Sequence, residues 1–199
     1  MIAIIDYGMG NLASVANAFA KLGFEAYITS DPEMVLQADK VVLPGVGAFA
    51  DAMHNLKKTG MDQVIYETVK RNTPLLGVCL GLQLLFTSSE ENGFRQGLDI
   101  VKGQVLRIPP HYKVPHMGWN EVRPRPESRL FKGIPAGSYY YFIHSYYVAP
   151  EDADWSAAVT DYGFDFTCAI EKNNIFATQF HPEKSSESGL YILKNFGGM

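Results

Sequence analysis

The chain has 199 residues, 47% of them hydrophobic and 19% charged, with a formal net charge of −4. This size and apolar content suit a single domain spanning 1–199, and the weak acidity offers no basic field to hold a phosphate backbone, so nucleic acid is set aside as a partner. Two cysteines, Cys79 and Cys168, are too few for a disulfide framework. Met1 runs straight into Ile2–Ala3–Ile4–Ile5 without a basic leader, and no apolar run is long enough to cross a bilayer, so the expected location is the cytoplasm, with no membrane association.

The first half alternates strand and helix signals. Ile2–Asp6 is a short apolar strand, and Asn11–Leu22 has helical spacing that Gly23 stops. Phe24–Ile28 reads as a second strand, and Asp31–Gln37 as a short helix opened by Asp31-Pro32. Val41–Leu43 is a third strand, ended by Pro44-Gly45-Val46-Gly47; helices follow over about Ala48–Leu56 and Met61–Arg71. Leu75–Val78 is a fourth strand, followed at once by a helix from Leu80 to Phe86. Short apolar runs separated by helices imply parallel strands joined by crossovers, with helices on both faces.

The second half changes character. From Val101 to Val148 prolines and aromatics are frequent and helical periodicity is weak. Gln104–Ile108, Gly118–Val122 and Tyr139–His144 read as strands, and Ala157–Thr160, Phe166–Ile170 and Ile175–Gln179 continue with hairpin-like spacing. A helix over about Ser186–Phe196 closes the chain. The expected architecture is α/β: a central, mostly parallel sheet flanked by helices, with a strand-rich C-terminal half.

Gly77-Val78-Cys79-Leu80-Gly81 lies between a strand and a helix. A nucleophile elbow needs this layout: a sharp strand-to-helix turn with small residues two before and two after the reactive side chain. The thiol would sit at a helix N-terminus, which favours thiolate, and the Leu80 N–H would be placed for an oxyanion. A buried core cysteine fits the same five residues, and the segment alone does not separate the two.

Phe176-Ala177-Thr178-Gln179-Phe180-His181-Pro182-Glu183 puts a His-Pro-Glu at a strand end. Residues two apart in extended chain project to one side, and Pro182 biases His181 toward an extended conformation. His181 can then act as base toward Cys79, with Glu183 orienting the ring and stabilising its imidazolium.

Gly77-Val78-Cys79-Leu80-Gly81-Leu82-Gln83 with His181-Pro182-Glu183 resembles the class I, or triad, glutamine amidotransferase family, over nearly the whole chain. The resemblance implies catalysis by Cys79, His181 and Glu183 through a glutamyl thioester, releasing glutamate and ammonia. It implies glutamine contacts from Gln83, Glu91 and the His144-Ser145-Tyr146 segment. It also implies an oxyanion hole built by Gly45, Val46 and Gly47 with Leu80. Taken as a residue pattern alone, Pro44-Gly45-Val46-Gly47 is a strand-ending turn whose glycines tolerate a peptide flip.

Further segments resemble the branch of the family that serves histidine biosynthesis. They are Asp6-Tyr7-Gly8-Met9-Gly10-Asn11, Pro44-Gly45-Val46-Gly47, His116-Met117-Gly118-Trp119-Asn120 and His181-Pro182-Glu183-Lys184-Ser185. This likeness implies a (β/α)8-barrel cyclase subunit as heterodimeric partner, with Trp119, Tyr141 and Lys184 at the interface near the ammonia exit. It also implies weak glutaminase activity in the isolated chain, raised by the substrate-loaded partner.

Other readings remain open from the residues. Gly8-Met9-Gly10-Asn11-Leu12-Ala13 fits a G-x-G-x-x-A dinucleotide fingerprint, with Asp31 where a ribose-binding acid would stand, although Asp6-Tyr7 intrudes before the glycines. The Cys and His-Pro-Glu are shared with glutaminase subunits of other pathways, and a stand-alone cysteine hydrolase could use the same triad. The five histidines show no metal-ligand spacing, so no metal or organic cofactor is expected. Cys168, in a predicted strand, is expected to be structural.

Overall fold

Four-residue apolar strands set the frame. A computed structural model describes residues 1–199. In the first half β1 (Ile2–Ile5), α1 (Leu12–Lys21), β2 (Ala26–Thr29), α2 (Pro32–Gln37), β3 (Lys40–Leu43), α3 (Phe49–Thr59), α4 (Met61–Lys70), β4 (Leu75–Val78) and α5 (Leu80–Leu84) follow one another. The second half contributes β5 (Phe86–Ser89), β6 (Arg95–Gln96), β7 (Val101–Arg107), β8 (His116–Glu121), β9 (Arg123–Pro124), β10 (Tyr139–His144), β11 (Tyr146–Pro150), β12 (Ser156–Asp161), β13 (Asp165–Lys172), β14 (Ile175–Thr178) and α6 (Ser186–Gly197).

Twelve strands form one sheet with the main order β2-β1-β3-β4-β14-β13-β11-β7-β5-β6, while β8 and β10 make a separate antiparallel pair. From β2 through β14 every pairing is parallel. Beyond β14 the pairings are antiparallel except β5 with β7. The last strand in sequence, β14, thus lies beside β4, with Thr178 opposite Val78. That register brings the end of the His-Pro-Glu strand to the elbow.

The inner parallel strands β1, β3, β4 and β14 are buried on both faces, as their apolar runs require, while the edge strand β2 is partly exposed. Ala3, Ile5, Val41, Leu43 and Leu75 join α2, α3 and α4 in one core. Their strand neighbours Ile2, Ile4, Val42, Leu76 and Val78 join α1 and α6 in the other. No helix is long and apolar enough to cross a membrane.

The helix after Cys79 is shorter than its spacing suggests, ending at Leu84, with Phe86–Ser89 forming β5 instead. The carbonyl of Leu84 accepts the Leu98 amide, and that of Leu85 accepts those of Ile100 and Val101. These non-local bonds take the acceptors that a continuing helix would need. The strand Tyr146–Pro150 also escapes a local reading, because it is defined by its pairing with β7, Tyr146 opposite Arg107 through Pro150 opposite Gly103.

Candidate active site

The elbow is strained at Cys79 itself. Cys79 joins β4 to α5 at φ +56°, ψ −107°, a conformation that non-glycine residues rarely adopt. Its amide donates to the Thr178 carbonyl at 2.7 Å, so the neighbouring strand holds the turn in place. Glycines flank it because backbone crosses there. A Cβ at Gly81 would run into the Leu43 carbonyl, and one at Gly77 would stand 2.9 Å from the carbonyl of Gly81.

His181 is fixed from three sides. Its amide donates to the Tyr141 carbonyl (3.0 Å), its carbonyl accepts Ser185 Oγ–H (2.6 Å), and its Nδ1 lies 2.9 Å from Glu183 Oε1. With Nδ1–H given to that carboxylate, Nε2 is left for Cys79, which lines the same cleft. Burial alone would lower the imidazole pKa, but hydrogen bonds and negative charge from Cys79 and Glu183 outweigh it and push the value up to about 10. The arrangement can hold an imidazolium beside the Cys79 sulfur. All three residues of the sequence-read triad therefore meet.

A cleft of ≈ 360 Å³ opens over Cys79. Of the sequence-read residues, Val46, Gly47, Leu80, Gln83, Glu91, His144, Ser145, Tyr146, His181 and Lys184 line it, and Pro115 and Ile143 complete the wall. Glu91 is anchored by the Phe49 amide, 2.8 Å from its Oε2, at the N-terminus of α3; the remaining oxygen can serve an ammonium. Gln83 spends its amino group on the Tyr146 carbonyl and Gln179 Oε1, both at 3.1 Å, which leaves its own Oε1 as the free acceptor. The Ser145 and Tyr146 carbonyls are engaged inside the protein, by the Ile108 amide and by Gln83 with His144.

The oxyanion residues are adjacent but not arranged as a hole. The Leu80 amide donates to the Gly45 carbonyl at 3.4 Å, so the group read as an oxyanion donor is already satisfied by the segment read as its companion. Pro44 is tied down by Tyr7 Oη–H at 2.9 Å, and Gly47 lies at φ +95°. The Gly45–Val46 peptide would have to rotate for its N–H to join that of Leu80.

Trp119 and Tyr141 do not line the cleft; they stand opposite each other on β8 and β10 with ring centroids 6.2 Å apart. Trp119 is 52% exposed, and Met117, Tyr139 and Ile143 are exposed on the same strand pair. Asp31, the acid of the dinucleotide reading, instead caps α2, its Oδ1 accepting the Glu33 amide at 2.8 Å. Cys168 is fully buried and burial drives its thiol pKa upward, as a structural cysteine requires.

Sequence reasoning assigned no site role to Gln179 or His116. Gln179 is fully buried with its Nε2 3.9 Å from Cys79 Sγ, and His116 Nδ1 is 2.9 Å from His144 Nε2. The available signal for Gln179 was strand alternation, which places it two residues before His181.

The model of the glutamine amidotransferase class-I family matches residues 3–197. The imidazole glycerol phosphate synthase subunit HisH of Moorella thermoacetica is 55% identical over 98% of this chain and 93% of that protein. The protein of the same name from Syntrophotalea carbinolica is 54% identical over the full length of both. Among solved structures, a glutamine amidotransferase superposes with a TM-score of 0.78 at 17% identity, covering all of both chains. With the elbow cysteine, the His-Glu pair and this full-length match together, the chain belongs to the class-I glutamine amidotransferase family.

Proposed function

We propose that this chain is the glutamine-hydrolysing subunit of an imidazole glycerol phosphate synthase, working in the cytoplasm as one domain over residues 1–199. The observation that carries the chemistry is the strained Cys79 beside a His181 whose Nδ1 is held 2.9 Å from Glu183. Cys79 Sγ attacks the side-chain carbonyl carbon of glutamine, and the C–N bond breaks as His181 protonates the departing ammonia. His181 then takes a proton from water, which attacks the thioester and releases glutamate. Gln83, Glu91 and the His144–Tyr146 segment hold the substrate, and Leu80 with Gly45–Gly47 supplies the oxyanion donors once the 45–46 peptide turns.

The partner in this reading is a (β/α)8-barrel cyclase that receives the ammonia. The exposed apolar face of β8 and β10, with Trp119 and Tyr141, supports a docking surface there, and Lys184 stands in the cleft wall beside it. The Leu80–Gly45 bond at 3.4 Å supports a partner-dependent activity, since a substrate-loaded cyclase that favours the turned peptide would raise the rate.

The test is glutamate release from glutamine by the chain alone and with a cyclase carrying its nucleotide substrate. Strong stimulation is expected. Cys79→Ala should abolish glutamine-dependent synthesis in the complex while ammonia-dependent synthesis survives. Loss of both in an assembled complex would refute this division of labour, and full activity without any partner would assign the triad to a free-standing hydrolase.

A further inference from the structure

A buried series of hydrogen bonds runs from β8 to the nucleophile, and its directions can be assigned from its ends. Asn120 Nδ2 donates to the Asp161 carbonyl at 2.8 Å and lies 3.4 Å from His116 Nε2, which makes that nitrogen an acceptor. His116 Nδ1–H then donates to His144 Nε2, and His144 Nδ1–H to the Tyr146 carbonyl, each at 2.9 Å. The same carbonyl takes one hydrogen of Gln83 Nε2 at 3.1 Å, and the other goes to Gln179 Oε1 at 3.1 Å. Gln179 is thereby held with oxygen toward Gln83 and nitrogen toward Cys79 Sγ, 3.9 Å away.

We propose that Gln179 is a fourth member of the catalytic constellation: its carboxamide, locked in one orientation by Gln83, directs an N–H at Cys79 Sγ and favours the thiolate. The proposal rests on reading Cys79 as the nucleophile. A thiolate is an acceptor only, and an amide N–H from a fully buried carboxamide is worth more to it than the same group in solvent. The reverse orientation would aim a carbonyl oxygen at the sulfur and leave the Gln83 amino group facing another amino group. Gln179 also shares its strand end with His181, so the thiolate meets an amide donor and an imidazolium donor carried by one rigid segment. The proton leaving Sγ goes to His181 Nε2; Gln179 gives up none.

The experiment measures the rate of Cys79 alkylation by chloroacetamide against pH in the full chain, with peptide mass spectrometry separating Cys79 from Cys168. Gln179→Met removes the donor at nearly constant volume, and Gln179→Glu replaces it with an acceptor of the same length. The midpoint should rise by about one pH unit in the first and further in the second, a roughly tenfold loss of thiolate near neutrality. In the cyclase complex kcat for glutamine should fall more than KM rises. Should Gln179→Met fail to fold, Gln179→Glu carries the comparison. A wild-type midpoint retained in a folded variant would overturn the role of Gln179 while leaving the triad standing. A wild-type Cys79 inert across the range would overturn the nucleophile reading, and this one with it.

Discussion

Acid should weaken the fold through the His116–His144 pair. Both rings are buried, 3% and 6% exposed, and burial depresses their pKa values to about 4 and about 3; the neighbouring rings of His116 and His181 further lower that of His144. The unfolded chain binds protons on these rings near pH 6.5, whereas the folded chain does not until far lower pH. Their contribution is therefore present above pH 6.5 and lost as pH falls through the interval down to the folded values. Between pH 7 and pH 5 each ring costs about 2 kcal/mol, so the pair costs about 4 kcal/mol, much of the margin of a domain this size. His181 has the opposite sign. Its raised value, about 10, gives a contribution complete below pH 6.5 and lost as pH rises toward 10, so it does not add to acid loss. Urea unfolding at pH 5, 6 and 7, for the native chain and His116→Asn, isolates the effect. The variant is less stable at pH 7, but its loss on going to pH 5 should be smaller by about 2 kcal/mol. Parallel pH profiles for the two proteins would refute the reasoning, as would a His116 ring that titrates above pH 6 by NMR in the folded chain.

Two further outcomes test the packing that positions the site. Gly81→Ala drives a Cβ into the Leu43 carbonyl at the crossing of α5 over β3 and should cost about 3 kcal/mol or more, read as a drop in urea midpoint. Glu171, near the end of β13, is buried. Burial raises its carboxyl pKa, but hydrogen bonds from Ser128 Oγ (2.7 Å), Arg129 Nε (2.8 Å) and the amides of Arg129 and Leu130 outweigh that and leave it below the usual range. Glu171→Ala strands those donors and should destabilise the fold by about 3–5 kcal/mol at pH 7. A depressed carboxylate contributes above its unfolded pKa, so the gap between the two proteins should narrow as pH falls below about 4. A constant gap would contradict the assignment.

Much of the molecule was legible from local pattern. Uninterrupted apolar runs such as Ile2–Ile5 and Leu75–Val78 declare strands covered on both faces, because alternate residues must meet cores on opposite sides. Gly77 and Gly81 around Cys79 declare a turn too tight for side chains, and His181-Pro182-Glu183 declares two polar groups on one side of an extended segment. These signals are short-range, and the backbone geometry they impose survives into the fold.

What the tertiary structure alone decided lies between residues far apart in sequence. The placement of β14 beside β4 turns two separate motifs into one triad. The Gly45 carbonyl on the Leu80 amide, the Glu91 carboxylate on the first turn of α3, and the orientation of Gln179 by Gln83 each join segments with no shared periodicity. A side chain's type fixes what it can donate or accept, but which partner uses up that capacity depends on the packing of the whole sheet. For that reason the fold class and a candidate nucleophile with its candidate base were legible in the residue pattern, while the assembled core alone shows the Leu80 amide engaged by Gly45 and a buried carboxamide facing the sulfur.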